Sequence, residues 1–443
     1  MYSNKDLRKL LIPLIVEQIL SALMGIADTL MVSNVGAAAL SGVSLVDTIN
    51  NLMLMAMMAL ASGGTVVCAQ FLGRKDEPSA KKAAGQLLFC CIVASAVPAL
   101  ICMAFAGPLL RLIYGGIEAD VMAAATTYFL ITAASYLFFG IQQAAASIFR
   151  AEGQTRTPMM VSLASNLLNI VGNAVLIFGL HLGVAGAAWA TLLSRVVGAL
   201  VMQVLVSRRD QRKLVIDSPK LLTPEWRLIR MVLKIGVPAG LENGLFQLGK
   251  LIVASTVSTL GTAAISAQAM ITMVEGIHGY PGQAIGIGLM TVAGTCMGAG
   301  KVEETKYYTR KLCIISECSM LIMAAIIAVT LQPIVKIAAL TPEAAELFIQ
   351  IMIISLFTKS IFWVCSFTLP NTLRASGDAA FCSAVSAASM WTFRVGLSFI
   401  LCRFMGVGLI GVWIGWYIDW VCRDIFYIWR YRSGKWATKT VID

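Results

Sequence analysis

The sequence predicts an all-α membrane protein, with twelve transmembrane helices in two pseudo-twofold-related lobes of six. Three observations lead there. Of 443 residues, 58% are hydrophobic and only 13% are charged, where a soluble domain carries about 45–50% apolar and about 25% charged residues. Apolar runs of about 20 residues recur along the chain, the length of a bilayer-crossing helix and far longer than the ten-residue alternation of a membrane barrel. The chain also repeats itself: residues 225 positions apart share one pattern of Pro, Gly and Glu.

Twelve apolar segments are predicted, at roughly 10–32, 47–71, 85–106, 121–148, 159–180, 185–206, 231–257, 271–297, 312–333, 344–369, 380–402 and 408–430. The first follows Lys5, Arg8 and Lys9 like a signal peptide, but it is too long and shows no small-residue cleavage site, so it is read as the first transmembrane helix. With the N-terminus in the cytoplasm, the inside segments hold 25 of the 34 Lys and Arg residues and the outside segments hold three, Arg111, Lys336 and Arg403. That asymmetry predicts both termini inside the cell, in an inner (plasma) membrane. It also accounts for the net charge of +11 without a nucleic-acid partner. The 11 cysteines lie mostly in apolar runs and form no CxxC pair, so they read as small packing residues rather than disulfides or metal ligands.

The longest polar stretch, 207–230, lies at mid-chain and reads as a cytoplasmic linker between lobes 1–206 and 231–443. The two halves align directly. Pro13 answers to Pro238, Glu17 to Glu242, GAAALSG at 36–42 to GTAAISA at 261–267, Gly73 to Gly298 and GVAGAAW at 183–189 to GLIGVWI at 408–414, all 225 apart. RAEG at 150–153 answers to RASG at 374–377 with a one-residue gap. An even number of helices per half makes the repeat parallel, a design of secondary transporters whose substrate site lies where the repeats meet.

Asp28 is the foremost candidate residue, an acid in the first apolar segment, 11 residues beyond Glu17 and so on the same side of the helix. An ionisable residue at membrane depth is by default a functional-site candidate. In the fifth segment Asn166, Asn169 and Asn173 share one face, with Ser162 before them. Glu17 and Glu242 are repeat mates one turn after a proline and are candidates for the substrate cavity; Gln247 joins them on a stripe with Asn243 and Lys250, where Lys250 is expected to neutralise an acid. In the eighth segment Glu275 and His278 sit three residues apart beside Pro281, as a proton relay or, more simply, a buried pair. Arg394, at the repeat position of Asn169, is expected to balance the acids of the second lobe, and Asp419 to pair with Arg423. Gly282 with Gly286, Gly294 with Gly298 and Gly411 with Gly415 are close-packing pairs.

The frame P…D…GAAALSG, FLGRKD after the second segment, FRAEGQTRTP after the fourth, NLLN…LIFG and GVAGAAWAT resemble the MATE family, the multidrug and toxic compound extrusion transporters; IGVPAGLENGLFQLGK, GLMTVAGTCMGAGK and LRASGD resemble its second lobe. The resemblance spans nearly the whole chain. It implies a monomeric secondary active exporter of small cationic or amphipathic compounds, driven by H⁺ or Na⁺ with no other cofactor and with membrane lipids as surroundings. It further implies that Asp28, Asn169, Asn173 and Thr191 form the ion- or proton-coupling cluster. At 173 the family carries an acid where this chain has Asn, which leaves one carboxylate fewer for a hard cation. One branch of the family places a cation-binding acid about a turn beyond Glu242; that position is Phe246 here, so the role is not carried over.

Other functions fit less well. GTCMGAGK at 294–301 is not a P-loop, because Thr295 replaces the first Gly and Val302 the hydroxyl residue. Two isolated histidines offer neither a catalytic constellation nor a metal site, so no enzyme is expected. A lipid-linked precursor flippase of the same superfamily is the alternative; the balance of intramembrane acids and bases favours a cationic substrate over its diphosphate.

Overall fold

A computed structural model describes residues 1–208 and 213–442. Among them no strand occurs. The helices are α1 (Asn4–Ser33), α2 (Ala37–Gly73), α3 (Glu77–Ala104), α4 (Ala106–Tyr114), α5 (Ala119–Ala151), α6 (Arg156–Asn173), α7 (Gly183–Ser207), α8 (Trp226–Ser258), α9 (Thr262–Gly298), α10 (Val302–Ile337), α11 (Pro342–Trp363), α12 (Pro370–Ala375), α13 (Ala379–Ser389), α14 (Ser398–Arg403) and α15 (Gly408–Arg432). Three π-helical segments interrupt the regular winding: Ala174–Gly179 after α6, Val364–Thr368 after α11 and Met390–Leu397 between α13 and α14. Such segments appear mostly inside α-helices and often at functional sites.

Among the described residues nine helical runs are long and apolar enough to cross a membrane. The other three of the twelve expected spans are α8, α9 and α15, with 33, 37 and 25 residues. Length is not what sets them apart. They carry Glu242 and Lys250, Glu275 and His278, and Asp419, Arg423 and Asp424 within their apolar runs.

The chain divides into two compact units, Tyr2–Gly240 and Leu241–Val441, with the boundary inside α8. In the first, α2, α5 and α7 enclose a core of Val46, Phe129, Ala133, Tyr136 and Ala188. In the second, α9, α11 and α15 pack around Ile271, Phe348, Ile351, Val412 and Trp413. The 225-residue register reappears in the helix ends: α2 spans 37–73 and α9 spans 262–298. Each begins after a glycine in the left-handed region, Gly36 at φ 140° and Gly261 at φ 94°, conformations that residues with a Cβ rarely adopt.

The mid-chain polar stretch includes residues 209–212, which lie outside the described residues. Its described part is stitched to the first unit. Glu152 accepts hydrogen bonds from the backbone N–H groups of Lys213 and Leu214, at 2.9 and 2.7 Å. Gln86 donates to the carbonyls of Leu221 and Thr223 and accepts from the Glu225 N–H. One buried amide thus satisfies three backbone groups of a segment that has few helical bonds of its own.

Candidate functional site

In the first unit the four residues of the expected coupling cluster come together. Asn173 Nδ2 donates to Asp28 Oδ1 at 2.6 Å and to Asn169 Oδ1 at 3.2 Å. Asn169 Nδ2 donates to Thr191 Oγ1 at 3.2 Å, and that hydroxyl donates to the Ala187 carbonyl at 3.0 Å. The helical spacing of Asn169 and Asn173 aligns the two amides, and packing brings α1 and α7 to either end of them. Asn169 and Asn173 are buried and Asp28 is half-buried. The chain is open at one atom: Asn173 Oδ1 is buried and accepts no hydrogen bond. Asn166 stays outside the chain, its buried Nδ2 without an acceptor.

A neighbouring polar group in the same unit was not anticipated. Asn50 Nδ2 donates to Asp47 at 3.3 Å, Tyr136 donates to Asn50 Oδ1 at 2.6 Å, and Arg195 Nη1 donates to Ser135 Oγ at 2.7 Å. The available signal was an acid with an amide three residues on, at the start of the second apolar segment. Asp47 lies at the first residue of the predicted segment 47–71, whereas α2 begins ten residues earlier, at Ala37.

Glu17 and Glu242, expected to line a substrate cavity, each have an arginine partner. Arg150 Nη2 lies 2.7 Å from Glu17 Oε1, and Arg374 Nη2 lies 2.8 Å from Glu242 Oε2. Ser383 also donates to Glu242. Glu275 does not pair with His278. Lys359 Nζ lies 2.8 Å from its carboxylate, Ser355 donates to it, and His278 Nε2 meets the Met320 carbonyl at 3.1 Å. A lysine from α11 out-competes the nearby imidazole because it brings a full charge to a buried carboxylate.

Arg394 does balance an acid: its Nη2 lies 2.8 Å from Asp419 Oδ2, while Arg423 Nε holds Asp419 Oδ1 at 2.9 Å. The expected Asp419–Arg423 pair is therefore two members of a three-membered cluster, to which Ser389 also donates. Lys250 does not neutralise an acid. Its ammonium lies 4.9 Å from the centre of the Phe246 ring instead. Gln247 makes no hydrogen bond among the described residues. No group of three or more His, Cys, Asp or Glu side chains suited to a metal occurs among the described residues.

Comparison with known proteins matches this architecture. The family model MatE fits the chain twice, at residues 13–175 and 238–400, again 225 apart. The probable multidrug resistance protein NorM of Thermotoga maritima is 28% identical over 99% of this chain and 94% of its own length. An uncharacterized transporter of Bacillus subtilis, YisQ, is 30% identical over 96% of this chain and 94% of its own. A solved structure of a multidrug resistance MATE family transporter in an outward-facing conformation superposes with a TM-score of 0.88 at 21% identity, covering 98% of this chain and 97% of that one, which shows the fold. With both halves matched in the register that the repeat defines, the chain belongs to the MatE family of multi-span membrane transporters, which fold as twelve transmembrane helices in two lobes.

Proposed function

We propose that the protein is a secondary active efflux transporter that exports cationic amphipathic compounds in exchange for H⁺ or Na⁺, by alternating access of its lobes in the plasma membrane with both termini in the cytoplasm. It acts as a monomer with no cofactor beyond the coupling ion. The observation that carries this reading is the hydrogen-bonded chain Asp28–Asn173–Asn169–Thr191, open at Asn173 Oδ1.

The chain works as a relay because a carboxylate only accepts hydrogen bonds whereas a carboxylic acid also donates one. With Asp28 ionised, Asn173 directs both amide hydrogens outward, to Asp28 and to Asn169. A proton arriving on Asp28 turns it into a donor, and the open Asn173 Oδ1 is the acceptor within reach once the amide rotates. Rotation withdraws the Asn173 donor from Asn169, and the change passes through Asn169 to Thr191 on α7. Three helices thereby sense one proton. Two packings that differ in their affinity for it are what a gradient needs in order to drive export.

Ethidium efflux from energised membrane vesicles tests this, with H⁺ and Na⁺ gradients imposed separately on wild type and Asp28→Asn. Wild type is expected to export on one gradient, and Asp28→Asn to bind the dye without exporting it. Normal export by Asp28→Asn would exclude the cluster as the coupling site.

A further inference from the structure

We propose that the second unit carries an anion-accepting subsite, formed by Lys250 and Arg394 around the ring of Phe246, that takes the carboxylate of an aromatic amphiphile. Two cations lie against one ring: Lys250 Nζ and Arg394 Cζ each lie 4.9 Å from the Phe246 centroid. The indole of Trp416 also packs on the Arg394 guanidinium, 4.4 Å from it.

Four acids of the spans in this unit have partners elsewhere. Glu242 is held by Arg374 and Ser383, and Glu275 by Lys359 and Ser355. Asp424 accepts from Ser366, and Asp419 is shared by Arg394 and Arg423. One carboxylate between two guanidinium groups leaves a positive excess at Arg394. Lys250 adds to it, since it makes no ion pair and no hydrogen bond among the described residues. Arg394 is 2% exposed, and its buried Nε donates to nothing. A buried donor without an acceptor is costly to leave so, and a second cation beside it would be repelled. A carboxylate on this ring supplies what is missing: an acceptor for Arg394 Nε and a counter-charge for Lys250. The aromatic rings on either side of Arg394 favour an aromatic body behind that carboxylate.

The repeat sharpens the contrast. Arg394 stands 225 residues after Asn169, and Trp416 stands 225 after Thr191. Where the first half places neutral amides around an acid, the second places a cation among aromatic rings. The duplicated frame therefore holds sites of opposite polarity.

The inference rests on the export reading only for the class of ligand, and its test uses equilibrium binding without any gradient, so failure of the coupling cluster leaves it standing. Rhodamine 110 and its methyl ester, rhodamine 123, share one xanthene body and differ in a free carboxylate. Their binding to the purified full chain in detergent is read by fluorescence anisotropy. Wild type is expected to bind the acid about tenfold more tightly than the ester, as for a hydrogen bond to a charged group. Lys250→Met removes that preference by lowering the affinity for the acid to that for the ester, Lys250→Glu reverses it, and Lys250→Arg keeps it. The proposal is overturned if wild type binds neither dye, if it shows no preference for the acid, or if the preference survives both Lys250→Met and Arg394→Gln. It is equally overturned if pyrophosphate displaces rhodamine 110 while benzoate at matched ionic strength does not, since the subsite would then be one for a diphosphate head group.

Discussion

Arg150 donates from Nη2 to Glu17 Oε1 across 2.7 Å, and 224 residues later Arg374 makes the same kind of bond to Glu242. The glutamates follow equivalent prolines and the arginines open the RAEG and RASG turns, so one interaction has been duplicated with the chain. The Glu17 and Arg150 side chains are only 11% and 12% exposed. Removing one member of a buried pair strands the other charge and typically costs about 3–5 kcal/mol, less where water still reaches it. Glu17→Ala and Arg150→Ala are each expected to lower thermal stability in detergent by about 2–3 kcal/mol. The double replacement by Met should recover most of that loss. Unchanged melting of the single variants would return Glu17 to the list of ligand-binding groups.

Thr191 ends the hydrogen-bonded chain of the first unit, accepting from Asn169 and donating its own hydrogen to the Ala187 carbonyl. Thr191→Val keeps the shape and leaves the Asn169 amide without its acceptor, an effect of about 1–3 kcal/mol on a buried donor. Gradient-driven dye efflux should fall severalfold in Thr191→Val and be retained in Thr191→Ser. Equal transport by all three would detach α7 from the coupling step.

Gly415 carries α15 past the π segment that holds Arg394. A Cβ there would lie 2.7 Å from the Phe393 carbonyl oxygen and against the Ser398 hydroxyl. Backbone cannot move aside as a flexible side chain can, so Gly415→Ala should destabilise the protein by about 1–3 kcal/mol. It should also weaken rhodamine 110 binding more than rhodamine 123 binding, because the displaced segment carries the guanidinium. Gly107→Ala serves as a control for the measurement, since a Cβ at that position meets no atom within 4 Å.

Asp378 lies in the turn before α13, outside the spans. Burial alone would raise the pKa of its carboxyl, but hydrogen bonds from Arg430 and Lys439 outweigh that and hold it below the ordinary 3.8. A carboxyl with a depressed folded value stabilises the fold above the ordinary aspartate range and loses that contribution as pH falls through it. Wild type should therefore melt above Asp378→Asn at neutral pH, and the gap should close on acidification below the ordinary range. A gap independent of pH would assign the stability to packing rather than charge.

Asn173 shows where sequence reasoning stops short. Its spacing from Asn169 puts both amides on one helical face, and that much is periodicity. Its bond to Asp28 crosses 145 residues, and no pattern in the sequence states it. Lys250 shows the opposite outcome: the stripe with Gln247 was visible, but the expected acid partner was not there, because Glu242, Glu275 and Asp419 had found closer or stronger partners on α12, α11, α15 and the π segment.

Hydrophobicity, length and repetition were enough to set the class of this protein. The bilayer requires every spanning segment to satisfy its own backbone, so apolar runs become helices, and a duplicated frame places helix ends at equivalent positions such as 37 and 262. Partners for buried charges are another matter. Each is chosen by distance, desolvation and competition among side chains on different helices, quantities that exist only once the helices have packed. Asp28, Glu17 and Arg394 were therefore recognisable as consequential residues from the sequence, while what each one holds, and the polarity of the site it belongs to, was decided by the tertiary structure.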